Sequence, residues 1–235
     1  MRRRLAGPGH PPGRHAVIRV LLVDDDALVR SGLKMMLSGA EGIDVVGEAD
    51  DGRGVLPALD RHRADVVLMD IRMPVVDGVA ATRLVREQPD PPAVLVLTTF
   101  DADELVVRAL QAGASGFLLK DTPPTEIVQA IHRVHAGDAM LSPAVTRKLI
   151  ALVAGDGEGV QRAERGRSLL DRLSEREREV ATAVGQGRAN AEIAEALHMS
   201  VPTVKAHVSR LLVKLEVENR VQIALLVQEA SRDYN

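Results

Sequence analysis

The chain has 235 residues, 46% of them hydrophobic, a formal net charge of -3 and no cysteine. That length exceeds the usual single domain and accommodates two modest cores. The absence of thiols excludes a disulfide framework or a thiolate metal centre and fits a cytoplasmic protein. No apolar run approaches the roughly 20 residues a membrane span needs, so no membrane partner is expected.

Residues 1–16, MRRRLAGPGHPPGRHA, are basic and rich in Pro and Gly, lack the apolar segment of a secretory signal, and read as a disordered extension. Between Val17 and Leu141, the apolar runs VIRVLLV, IDVVGEA, DVVLM, AVLVL and GFLL alternate with amphipathic stretches starting near Ala27, Gly52, Asp77, Asp101 and Pro123. Five buried strands alternating with five helices predict an α/β domain over 17–141, built on a doubly wound, five-stranded parallel sheet. Thr122-Pro123 is read as the N-cap and first position of the fifth helix. Residues 142–169 are assigned as a linker, with one helix over 143–154 followed by GDGEGVQRAERGR, which lacks an apolar period. Residues 170–235 are expected to form a small all-α domain of four helices, the first opened by a Ser174/Glu177 capping box.

Charge is spread unevenly: +4 over residues 1–16, -8 over 17–142, +2 over 143–172 and -1 over 173–235. A nucleic-acid surface on the last domain must therefore be local.

Ligands of open parallel sheets bind beyond the carboxyl ends of the strands. There the sequence places Asp24, Asp25 and Asp26 after the first strand, Asp70 after the third, Thr98 and Thr99 after the fourth, and Lys120 after the fifth. Clustered carboxylates need a cation, and all-oxygen ligation suits Mg²⁺. The implied chemistry is phosphoryl transfer to a carboxylate. Each residue also has a plain reading: a run of aspartates as a solvated loop, Asp70 as a helix cap, Lys120-Asp121 as a turn. Four strand ends converging in the right order favour the functional reading, while Asp26 stays with the plain one.

VLLVDDD, DVVLMDIRMPVVDG, VLVLTTF and AGASGFLLKD resemble the receiver domain of two-component response regulators, which implies a flavodoxin-like fold. By that resemblance Asp70 is the phosphoacceptor and Asp25 a direct Mg²⁺ ligand. Asp24 acts through metal-bound water, and Arg72 contributes its backbone carbonyl. Thr98 and Lys120 bind the phosphoryl group, and Thr98 with Phe117 forms the switch. Two positions depart from the frequent pattern: Asp121 follows Lys120 in place of proline, so a trans bond is expected there, and Phe117 stands where tyrosine is common.

NAEIAEALHMSVPTVKAHVSRLLVKLEVENR splits into a short helix ending near Leu197, a turn at 198–200, and a longer helix from Val201 to about Leu215 capped by Ser200. Ile193, Ala194 and Leu197 are expected to face Val204, Val208 and Leu211. The other face carries Thr203, Lys205, Ala206, His207, Ser209, Arg210 and Lys214. With LSEREREV upstream, this region resembles the LuxR-type DNA-binding domain of NarL/FixJ response regulators. The resemblance points Lys205, Ala206 and Ser209 at base edges, and Thr203, His207, Arg210 and Lys214 at phosphates or supporting contacts. It also implies a partner histidine kinase, double-stranded DNA and a homodimer, with RNA polymerase a further candidate. The final helix, from Arg220, carries an apolar stripe of Val221, Ala224, Leu225 and Val227, read as core or as a pairing face. Small residues at 181–184 are expected to loosen the first-helix core.

The main expectation is a transcription regulator controlled at Asp70, not an enzyme beyond its own phosphorylation and dephosphorylation. A phosphatase with an aspartyl nucleophile needs a second acid two residues on, where Arg72 stands. A passive first domain would have no need of Lys120.

Overall fold

The computed structural model describes residues 17–98, 103–141 and 159–231. The extension 1–16, Thr99 and the helix expected over 143–154 lie outside them.

Strands β1 (Ile18–Val23), β2 (Ile43–Ala49), β3 (Val66–Met69), β4 (Ala93–Thr98), β5 (Gly116–Leu119) and β6 (Met140–Leu141) form one sheet in the order β2-β1-β3-β4-β5-β6. Every pairing is parallel. The five expected strands are all present in this parallel sheet, and the two-residue β6, too short to show a period, extends it at the edge of β5. Helices α1 (Ala27–Ser38) and α5 (Pro124–His135) cover one face, and α2 (Val55–His62), α3 (Gly78–Arg86) and α4 (Asp103–Gln111) the other. Alternating strand residues feed the two layers: Val20 and Leu22 pack with Ile127 and Ile131, while Leu21 and Val23 pack with Val55 and Val85. Both faces are buried, which is why the strands read as unbroken apolar runs.

Local chemistry sets the helix starts. Asp26 caps α1, accepting from the N–H groups of Leu28 at 2.8 Å and Val29 at 3.4 Å. Helix α5 begins one residue later than the sequence suggested, with Pro123 as N-cap and Pro124 first. A residue before proline is pushed out of the α region, so Pro123 stays extended at φ -53°, ψ 141°. No described peptide bond is cis, Lys120–Asp121 included.

The second half holds α6 (Gly159–Asp171), α7 (Glu175–Gly185), α8 (Asn190–Ala196), α9 (Val201–Leu215) and α10 (Arg220–Ala230). Helix α6 runs through the stretch assigned as linker and makes this half one helix richer than expected. Its period is weak because little of it is core: Leu169 joins the buried cluster, Arg167 Nε donates to the Ala230 carbonyl at 3.0 Å, and Gly166 lies against Ala230. The Ser174/Glu177 capping box is formed. Ile193 and Ala194 pack with Val204, Val208 and Leu211, with Leu197 at the margin. The small residues of α7 let α10 approach, so that a Cβ on Gly185 would come within 2.6 Å of Val227. Close approach takes up the volume that larger aliphatics would fill.

Candidate functional site

The acid pocket is assembled by backbone pairing at the rim where the strands end. Asp70 N–H donates to the Val23 carbonyl at 2.8 Å, placing Asp70 beside Asp24. Lys120 N–H donates to the Thr98 carbonyl at 2.8 Å, placing the lysine beside the threonine. Lys120 Nζ then lies 2.5 Å from Asp24 Oδ2 and 2.9 Å from Asp70 Oδ2. Asp24 and Asp70 are buried while Asp25 is exposed at the mouth, and one oxygen from each lies within 4.8 Å of the others. Asp24 also accepts the Asp26 N–H at 3.0 Å, and Asp70 Oδ1 accepts the Ile71 N–H at 2.7 Å.

Burial pushes the Asp24 carboxyl above the ordinary aspartate range, and the charge of Asp70 adds to that, against opposing hydrogen bonds from Lys120 and Asp26. For Lys120 burial acts downward, but hydrogen bonds to Asp24 and Asp70 outweigh it and the pKa is raised, which keeps the ammonium charged.

Three carboxylates against one ammonium leave the pocket two negative charges in excess, the amount one divalent cation balances. All the donors are hard oxygens, as Mg²⁺ requires. Thr98 fits the same chemistry: its Oγ1 is buried and has no hydrogen-bond partner among the described residues. A buried unpaired hydroxyl costs about 1–3 kcal/mol, a cost recovered when an oxygen-rich ligand enters. Phe117 is fully buried on β5, packed with Ile71, Val96 and Val106. Arg72 is exposed on the loop after Asp70.

Sequence reasoning missed two supports. Arg30 Nη1 donates to the Asp24 carbonyl at 2.6 Å and tethers the first turn of α1 to the pocket. Gly78, first in α3, donates its N–H to the Ile71 carbonyl at 2.9 Å and lies against the Asp70 backbone. The Asp77-Gly78 pair was the available signal, a cap followed by the residue without a Cβ.

In the second half α9 spans the predicted residues, with Ser200 accepting the Thr203 N–H at 3.2 Å. Thr203, Lys205, Ala206, Ser209, Arg210 and Lys214 are exposed and His207 is half-buried. Three of these side chains are engaged, Thr203 Oγ1 lying 2.7 Å from Ser200 Oγ. Lys214 Nζ pairs with Glu177 at 2.7 Å, and Lys205 Nζ lies 3.5 Å from the His135 carbonyl at the end of α5. Lys205, Ser209 and Leu212 line a cavity of about 460 Å³ together with Asp65, Pro92 and His135 of the first half.

Lys214, with the Ser174 backbone and hydroxyl, holds the Glu177 carboxyl down at about 2, against an ordinary 4.5. A folded-state pKa below the unfolded one stabilises above the unfolded value and loses that contribution as pH falls through the folded one. The stability difference between wild type and Glu177→Gln, followed by urea midpoint, is therefore expected to be largest above pH 4.5 and to shrink toward pH 2. A difference constant across that window contradicts the pairing.

The fold and pocket define a doubly wound α/β domain with an acidic ligand-binding rim, joined to a helix-turn-helix domain. Residues 20–132 match the family "Response regulator receiver domain" and 171–227 match "Bacterial regulatory proteins, luxR family". The chain is 40% identical over 211 residues to the transcriptional regulatory protein LnrK of Bacillus subtilis, covering 89% of this chain and 96% of that one. It is 36% identical over 208 residues to the response regulator protein VraR of Staphylococcus aureus, covering 88% and 95%. Among solved structures it resembles the response regulator ChrA of a heme-sensing two-component system, at TM-score 0.51 and 33% identity over 92% of this chain and 98% of that one. It also resembles RcsB in a structure of two dimers bound to two parallel DNAs, at TM-score 0.52 and 26% identity over 92% and 99%. The chain belongs to the response regulators that couple a receiver to a LuxR-type DNA-binding domain. It is thus a DNA-binding transcription regulator of a two-component system.

Proposed function

We propose that a histidine kinase transfers a phosphoryl group to Asp70 in a Mg²⁺-dependent step, and that this transfer controls exposure of the DNA-binding domain and its pairing into dimers. The observation that carries this reading is the Lys120 ammonium bridging Asp24 and Asp70 at the rim that also holds the unpartnered Thr98 hydroxyl. One carboxylate oxygen of Asp70 forms the new bond to phosphorus. The bond from phosphorus to the donor imidazole breaks, and its electron pair stays on that nitrogen. Lys120 pairs with one phosphoryl oxygen and Thr98 Oγ1 donates to another. Asp25, Asp70 and the Arg72 carbonyl would hold Mg²⁺, with Asp24 acting through water; when bound, the ion neutralises charge on the phosphoryl oxygens. The RcsB dimers on DNA favour a dimeric DNA-bound form, and a DNA target supports a cytoplasmic location.

Exposure of the DNA-binding domain is taken as the controlled step because α9 faces the first half at one edge, where Lys205 Nζ lies 3.5 Å from the His135 carbonyl and Lys205 and Ser209 line the shared cavity. The test uses full-length protein, acetyl phosphate with Mg²⁺, and a duplex enriched from a random-sequence pool on the treated wild type. Treatment is expected to raise the affinity of the wild type and leave that of Asp70→Asn unchanged. Equal responses in the two proteins reject the reading.

Lys205 is the base-reading residue of α9 with the longest reach. Losing one good base contact costs about 1–3 kcal/mol of discrimination, roughly 5- to 150-fold. Lys205→Ala is expected to lower the ratio of selected-site to random-duplex binding within that range, measured at fixed salt. A ratio equal to the wild-type value removes Lys205 from base readout.

A further inference from the structure

Cavities that hold small molecules combine apolar walls with a few convergent polar groups and span roughly 300–1,000 Å³. The cavity of about 460 Å³ shared by α9 and the first half has that size and makeup. Pro91 and Pro92 of the first half and Val208 and Leu212 of α9 supply apolar walls. Asp65, Ala93 and Ser115, which also line it, stand at the starts of β3, β4 and β5, so the cavity lies at the end of the sheet opposite the acid pocket.

Two lining cations have no carboxylate to pair with among the described residues. Arg86, the last residue of α3, is half-buried, and of its five N–H groups a single one is hydrogen-bonded, from Nη2 to the Glu218 carbonyl at 2.9 Å. Its Nε is buried without a partner. Burial pushes this guanidinium below its ordinary range, and only the charge of Glu218 opposes the shift. Lys205 Nζ has one long contact, to the His135 carbonyl at 3.5 Å. A carbonyl satisfies a donor but neutralises no charge, and a cation drawn out of water without a counter-ion is unfavourable. The lining acids do not fill that place. Asp138 is taken up by the Asn190 N–H at 2.8 Å and Arg220 Nη1 at 3.5 Å, and Asp65 accepts the Arg19 N–H at 2.8 Å. Asp90 and Glu218 are exposed, where solvent and salt screen them.

We propose that this cavity binds a small organic oxyanion, a carboxylate or phosphate monoester carried on an apolar ring, with its charge on Arg86 and Lys205 and its ring against the four apolar wall residues. Both ends of the ligand are needed. Inorganic phosphate would answer the cations and leave the walls against water, and a neutral ring would cover the walls and leave the cations unpaired. Because Arg86 lies on α3 and Lys205 on α9, the bound molecule touches both halves of the chain. None of these residues belongs to the acid pocket, so the ligand is an input separate from Asp70.

The test titrates full-length, unphosphorylated protein calorimetrically at fixed ionic strength with naphthalene-1-carboxylate, 1-naphthyl phosphate, 1-naphthalenemethanol and inorganic phosphate. One of the two naphthyl anions is expected to bind as a single molecule per chain, at least about tenfold more tightly than the alcohol or inorganic phosphate, and the tighter of the two identifies the preferred head group. Lys205→Met, at an exposed position, and Arg86→Gln are each expected to weaken that anion at least about tenfold. Asp70→Asn is expected to bind it as the wild type does. Equal affinity for anion and alcohol, wild-type affinity in Lys205→Met, or no anion binding at millimolar concentration overturns the site. Normal labelling of Asp70 by acetyl phosphate beside any of those results rejects the site alone. Absent labelling beside selective anion binding rejects the phosphoryl reading alone.

Discussion

Asp70→Asn is expected to reduce labelling by acetyl phosphate to background on a phosphate-affinity gel while leaving the protein folded. The asparagine side chain keeps the shape of the carboxylate, and its single carbonyl oxygen keeps one of the two hydrogen bonds now made to separate oxygens, from Ile71 N–H to Oδ1 at 2.7 Å and from Lys120 Nζ to Oδ2 at 2.9 Å, the amide nitrogen taking the other place. What it lacks is the charged nucleophile. The pocket holds three carboxylates and one ammonium, so the substitution halves the excess negative charge and relieves repulsion between Asp24 and Asp70. Unfolding temperature without Mg²⁺ is expected to be unchanged or higher, whereas Mg²⁺ should stabilise the variant less than the wild type. The opposite pairing, a destabilised variant that still labels, would assign the acceptor elsewhere, and Asp24 would be the next carboxylate to replace. Asp25 is the less suitable acceptor because it is exposed at the mouth and outside the reach of Lys120 in the observed contacts.

Most of the pocket was legible in the sequence for a topological reason. Strands buried on both faces appear as apolar runs, and the residue after each run must lie at the ligand-binding rim; Asp24, Asp70, Thr98 and Lys120 follow from that rule alone. Helix α9 was legible to the residue because Ser200 and the spacing of Val204, Val208 and Leu211 are local signals. Features fixed by tertiary partners were not. Helix α6 carries too little apolar surface to declare itself, and β6 forms only because β5 offers a free edge. Glu177 read as half of a capping box, yet its carboxylate also pairs with Lys214, 37 residues away. Asn219 is likewise a local cap for α10 through Oδ1, while its Nδ2 reaches Leu110 in the other domain. A capping residue has one local job that the sequence announces; its remaining hydrogen-bonding capacity, on the same oxygen in Glu177 and on the amide nitrogen in Asn219, is free for a partner that no local pattern specifies.

The same distinction makes Gly78→Ala a sharp test. A helix-start glycine outside the left-handed region looks replaceable, and alanine is the better helix former. Here the added Cβ would lie 2.0 Å from the Asp70 carbonyl oxygen and 2.9 Å from both Asp70 C and Ile71 Cα. All three are backbone atoms, so no side-chain rotation relieves the clash. Nor can the acceptor loop easily yield, since Asp70 N–H is anchored to Val23 at 2.8 Å and the Gly78 N–H to Ile71 at 2.9 Å. Overpacking of this kind costs about 1–3 kcal/mol or more, which lowers the receiver unfolding temperature by roughly 2–8 °C for each kcal/mol at this domain size. Acetyl phosphate labelling should fall as well, because displacing the Asp70 backbone moves its carboxylate relative to Lys120. Gly32 supplies the contrast. It sits exposed in α1, where an added Cβ would meet nothing within 4 Å, so Gly32→Ala is expected to stabilise by about 0.5–1 kcal/mol and to label normally. Two glycine-to-alanine changes in helices of one domain would thus act in opposite directions. Equal effects of the two would mean that the contact between α3 and the acceptor backbone does not constrain Asp70.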